Sequence, residues 1–125
     1  MAGVNTSRVA GPALSLLRIV AAIVFLQHGV QKVTAAMGGH MVFPSFPAFG
    51  MIIEVGAGAL ILVGLFTRAA AFIASGEMAV AYFKFHAPHA FWPVENHGEV
   101  PVLLCFIFLY LAAAGGGPAS VDAVR

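Results

Sequence analysis

The stretch Leu26-Gln27-His28-Gly29-Val30-Gln31-Lys32 decides how this chain is read, because it sets a histidine and a lysine inside a long apolar run. That run extends from about Ala13 to Ala36 and also carries Arg18. Three further apolar stretches follow, from about Pro47 to Phe66, Ala69 to Phe85 and Gly98 to Ala114. Each is close to the ~20 residues that cross a ~30 Å hydrocarbon core. In lipid every such stretch must be helical, because no water is present to satisfy an open backbone. Alternation with a period of two is absent, which argues against a membrane β-barrel. The sequence therefore predicts an all-α fold, an integral membrane four-helix bundle forming a single transmembrane domain over residues 1–125.

Composition agrees with that reading. Hydrophobic residues make up 61% of the 125 and charged residues 9%, against about 25% charged in a typical soluble domain. A soluble fold this small leaves too much surface exposed to hide so much apolar area, so the solvent must be lipid. A net charge of +1 provides no basic footprint, so no nucleic-acid partner is expected. The lone cysteine, Cys105, lies in an apolar run and reads as a small buried hydrophobe; no intrachain disulfide or CxxC pair can form. The first run is not read as a cleaved signal peptide. It is too long, it contains Arg18, Gln27, His28 and Lys32, and no small-x-small cleavage site follows it.

The connections are short. Met37–Phe46 holds Gly38, Gly39 and Pro44; Thr67-Arg68 is a tight link in which Thr67 is expected to cap the third helix. The longest loop, His86–His97, carries Pro88, Pro93 and Trp92, the last an interfacial anchor. Gly115-Gly116-Gly117-Pro118 stops the fourth helix. Arg8, Arg18, Arg68 and Arg125 fall on one side of an even number of spans, while only Lys84 and Lys32 approach the other. The positive-inside rule then predicts an inner (cytoplasmic) membrane protein with both termini in the cytoplasm.

A charge inside a membrane helix costs at least ~2.5 kcal/mol, so it usually faces the bundle interior. Arg18, His28 and Lys32 fall on one face of the first helix, roughly 80° wide at 3.6 residues per turn. Glu54 on the second helix is flanked one turn away by Gly50 and Gly58, which are expected to let a neighbouring helix approach. Glu77 and Lys84 share a face of the third helix, and Glu99 opens the fourth. Depths counted at ~1.5 Å per residue make Lys32 and Glu54 natural partners, with His28 one turn deeper. The same count puts Glu77 near the middle and suggests Arg18 as its partner. These residues could be structural pairs that fix helix register, or they could line a polar pocket. The number of charges favours the pocket, in the outer half of the bundle and lined by His28, Lys32, Glu54 and Glu99.

Metal and haem are not expected. His86 and His89 form an HxxH, but Pro88 lies between them and four converging ligands are not evident. Only His28 is deep enough for haem. No nucleophile elbow, phosphate loop or nucleotide fingerprint is present.

Several motifs, taken together, resemble the DoxX family. They are Arg18 with Leu26–Lys32, Ile53-Glu54-Val55-Gly56 through Leu62-Val63-Gly64-Leu65-Phe66-Thr67-Arg68, Glu77-Met78-Ala79-Val80-Ala81-Tyr82, Asn96-His97-Gly98-Glu99, and Gly117-Pro118-Ala119-Ser120-Val121-Asp122. The resemblance covers nearly the whole chain. It implies a four-helix membrane fold tied to quinone-linked oxidation of reduced sulfur compounds and to oxidative-stress systems. It also points to His28, Lys32, Glu54, Glu77, Asn96 and Glu99 as the polar signature. With one cysteine, a sulfur-oxidising activity would need a partner subunit or direct transfer from substrate to quinone.

Three readings follow. The first is a quinone-linked redox subunit, with a soluble redox partner, that binds a quinone or other small polar-headed ligand. Reduction of a quinone adds two electrons and two protons, so the pocket needs donors at the carbonyls and a proton supply. Glu54, Glu77 and His28 are the candidate catalytic residues, and Lys32, Arg18, Asn96, His97 and Glu99 the candidate ligand-binding residues. Phe25, Tyr82 and Trp92 are candidate walls. The second reading is a non-catalytic anchor or assembly module for a soluble oxidoreductase. The third is a small proton-coupled transporter, which at this length would need a homo-oligomer.

Overall fold

A computed structural model describes residues 7–125, and among them every regular element is helical. Helix α1 (Ser7–Met37) starts before Ala13 and runs for 31 residues, about 46 Å at the α-helical rise. Pro12 lies inside α1, in its second turn, where it removes the N–H that would reach the Arg8 carbonyl. Helix α2 (Phe46–Val63) is capped by Ser45, whose hydroxyl accepts the Ala48 N–H at 3.2 Å. It stops before the expected Phe66 because Gly64 turns left-handed, with φ 75°, and folds its N–H back to Leu60 and Ile61. α1 and α2 are long and apolar enough to cross a membrane.

Helix α3 (Thr67–Ala81) runs on into a π-helical turn, Tyr82–His86. A single-turn helix, α4 (Pro93–Asn96), lies in the following loop, and α5 (Glu99–Ala114) is shorter but apolar. Gly115 and Gly117, at φ 83° and 79°, end α5 and turn the chain back into a short strap closed by α6 (Val121–Val124).

α1 packs along α2, α3 packs along α5, and α2 joins the two pairs. Phe25 and Phe108 meet edge to face at 4.8 Å in the centre of a core that includes Ala22, Ile61, Ala71 and Leu111. Gly58 does permit a close approach, since a Cβ there would lie 2.9 Å from Leu26. Outward faces are rich in large apolar side chains, among them Leu16, Ile52, Phe72, Leu103 and Phe106. An exterior this rich in apolar side chains suits a non-aqueous neighbour.

Candidate functional site

Glu54 is fully buried on α2, Glu77 is almost fully buried on α3, and Lys32 reaches them from α1. The Lys32 ammonium donates to Glu54 Oε2. Glu77 joins the same small volume. A Cβ placed on Gly50 would lie 3.0 Å from Glu54 Oε2, 3.3 Å from Lys32 Nζ and 3.6 Å from Glu77 Oε2. The open side of Gly50 is therefore filled by charged groups rather than by a neighbouring helix. Glu54 Oε1 and both Glu77 oxygens have no hydrogen-bond partner among the described residues. Two carboxyls face one ammonium, so charge balance needs one further proton or cation, and the free oxygens need donors.

The cluster forms one wall of a cavity of about 360 Å³. His28, His86 and His97 complete its polar lining. Phe46, Phe85, Met78, Val100 and Pro101 supply apolar surface. Lys84 turns away from the carboxyls and lies over the Phe46 and Phe85 rings, 5.4 and 5.8 Å from their centroids.

Local backbone features place the two loop-side histidines. In a regular α-helix His86 would sit half a turn away from Glu77, at about 180°. The wider π turn at Tyr82–His86 changes that register, and both residues line the cavity. His86 Nδ1 lies 3.0 Å from the Asn96 carbonyl. Asn96 is buried and pinned on every side. Its amide nitrogen donates to Tyr82 Oη and to the Ala90 carbonyl, each at 3.0 Å, and its amide oxygen accepts the Gly98 N–H at 2.8 Å. His97 adopts a left-handed backbone at φ 61°, uncommon for a side chain larger than glycine. Gly98 is required beside it, because a Cβ there would lie 2.6 Å from the Tyr82 ring.

Several sequence expectations are corrected here. Arg18 does not partner Glu77. It lies 14 residues before Lys32, about 21 Å along α1, whereas Glu77 stands at the level of Lys32. Its guanidinium donates instead to main-chain carbonyls: Gly116, Ala119 at 2.8 Å and Leu62 at 3.3 Å. Ser15 joins this knot, donating to the Gly116 carbonyl at 3.2 Å and accepting the Ala119 N–H at 3.0 Å. Glu99 is exposed and lies outside the cavity lining, where Glu77 stands in the place expected for it. Asn96 also lies outside that lining and positions the loop. Phe25 belongs to the core, and Tyr82 and Trp92 border a separate surface groove; Phe46 and Phe85 are the aromatic walls.

Thr67 does not cap α3. Asp122 does so from the C-terminal strap, its two oxygens accepting the Phe66 and Thr67 N–H groups at 2.9 Å each. The Thr67 N–H, then that of Phe66, and the Arg125 guanidinium hold the Asp122 carboxyl down to about 2. His86, Phe46 and Phe85 are the site residues that sequence reading missed. The π turn that directs His86 has no recognised sequence signature, although its spacing from Asn96 could have suggested a contact.

Fold and site thus define a small all-helical protein with an apolar exterior and a buried acid–base cluster opening on a partly aromatic cavity. The chain belongs to the DoxX family, whose model matches residues 13–87, and the family is membrane-associated. It is similar to an uncharacterized protein of Haemophilus influenzae, 38% identical over 117 residues that cover 87% of each chain. No solved structure matches.

Proposed function

We propose that this DoxX protein crosses the inner membrane four times, by α1, α2, α3 with its π turn, and α5, with both termini in the cytoplasm. Its cavity takes the polar headgroup of a quinone-like ligand, as part of a quinone-linked redox system. The observation that carries this reading is the buried Lys32–Glu54 pair with Glu77 beside it, on the wall of a cavity lined by Phe46 and Phe85. Register alone would need one pair; here a second carboxyl, with unpartnered oxygens, is buried next to it. The residues fit such a headgroup. Lys32 has two N–H groups beyond its bond to Glu54, and His28 adds a further ring nitrogen. The aromatic walls suit a flat ring.

A quinone, when bound, supplies a reversible two-electron, two-proton couple. Lys32 orients a ring oxygen by donating to it. Glu54 and Glu77 hold and pass protons at their carboxyl oxygens, and the apolar helices exclude bulk water from the exchange. Electrons come from a soluble redox partner or directly from a reduced substrate, since Cys105 stands alone.

The anchor reading has its own support. Arg68, Asp122 and Arg125 border an open groove of about 490 Å³ at the strap end, which could seat a soluble partner. Binding separates the two readings. Added duroquinone should raise the thermal stability of the purified protein with ligand concentration, and Lys32→Met and Glu54→Gln should both weaken that shift. No shift in the wild type, with a partner captured through Arg68→Glu-sensitive contacts, would establish the anchor instead.

A further inference from the structure

We propose that His86 is a hydrogen-bond acceptor at the cavity wall, and that it selects a ligand carrying a ring hydroxyl, of the hydroquinone or phenol class, over the oxidised quinone of the same size. The inference deepens the cavity reading and rests on it. Its first ground is the tautomer. His86 Nδ1 lies 3.0 Å from the Asn96 carbonyl, and a carbonyl can only accept. Nδ1 must therefore carry the hydrogen, and in the neutral ring Nε2 is left with a lone pair.

The second ground is how firmly that carbonyl is held. Asn96 is almost wholly buried, and its side chain is fixed by Tyr82, Ala90 and Gly98. Tyr82 also stacks on the His86 ring, with 19° between the planes. Asn96 is thus a positioning residue that sets which edge of His86 remains for a ligand. The third ground is the balance of the cavity. The cluster of Lys32, Glu54 and Glu77 holds its own donors, the ammonium and the one further proton that charge balance requires, whereas His86 Nε2 brings none. A ring hydroxyl placed at His86 Nε2 would satisfy an acceptor that a quinone carbonyl would leave unpaired. Buried unpaired acceptors weaken binding of the ligand that strands them.

The test compares durohydroquinone with duroquinone, held anaerobically, against wild-type protein, His86→Phe and His86→Gln. Wild type should bind the hydroquinone roughly fivefold more tightly, the worth of about one hydrogen bond. His86→Phe should lose that preference, and His86→Gln, whose amide oxygen accepts, should retain much of it. Nitrogen-15 spectra of histidine-labelled protein give a readout independent of ligand, and should show His86 protonated at Nδ1. Equal binding of the two forms by wild type, or an unchanged preference in His86→Phe, would overturn the inference and leave the cavity reading standing. Protonation of His86 at Nε2 would overturn it whatever binds. Failure of both forms to bind would remove the cavity reading and this inference with it.

Discussion

Lys32 on α1 and Glu54 on α2 form an ion pair in which the carboxylate is fully buried and the lysine side chain keeps 30% of its surface exposed. Breaking such a pair from the buried side should be costly, but less so than for two buried ions, because the lysine retains some access to solvent. Glu54→Leu should destabilise by about 3 kcal/mol, and Glu54→Gln by roughly half that, since the amide still accepts from Lys32. Thermal unfolding in detergent measures both. Equal losses in the two variants would show that the charge, not the hydrogen bond, matters.

Gly50 offers a more selective probe. An added Cβ would meet the mobile ends of Glu54 and Lys32 rather than backbone, at 3.0 and 3.3 Å. Gly50→Ala should therefore change stability by no more than about 1 kcal/mol, yet displace the charged cluster and weaken duroquinone binding. Gly64→Ala is the contrasting case. It would force a left-handed backbone, φ 75°, on a Cβ aimed at the Ser120 backbone, and should cost about 2 kcal/mol or more.

Asp122 predicts a pH effect of definite sign. Its carboxyl is held at about 2, below the ordinary 3.8, because the folded protein stabilises the ionised form. The contribution is present above pH ~4 and is lost as pH falls from ~4 toward ~2. The group is partly exposed, so the effect is modest. The melting temperature of Asp122→Asn should fall less steeply than that of wild type over that window. Parallel curves would show that the cap does not act through its charge.

Topology is accessible to reporter fusions. A fusion at Gly39 should report the outer face and one at Arg125 the cytoplasm. A periplasmic signal from the Arg125 fusion would defeat the proposed orientation.

Length and apolarity made the helical character of the chain legible, and counting depth along α1 and α2 brought Lys32 to Glu54. The count failed for Glu77 because α3 starts at Thr67 near the strap, which raises Glu77 to the level of Lys32. His86 was hidden by a turn whose winding no periodicity predicts. The cap supplied by Asp122 and the partners of Arg18 escaped notice for a different reason. Both residues bond to backbone groups supplied from 55 or more residues away, at Thr67, Gly116 and Ala119, or from 44 away, at Leu62. Main-chain donors and acceptors are the same in every residue and leave no trace in sequence.

The Arg18 knot also bears on biogenesis. The guanidinium of the first helix gains its Gly116 and Ala119 bonds only after those residues have been synthesised and folded back. Until then a nascent chain, or one truncated before Gly116, carries an uncompensated cation among its helices. Chains truncated before Gly116 should therefore be lost faster than full-length chains in a pulse-chase measurement, and Arg18→Leu should narrow that difference.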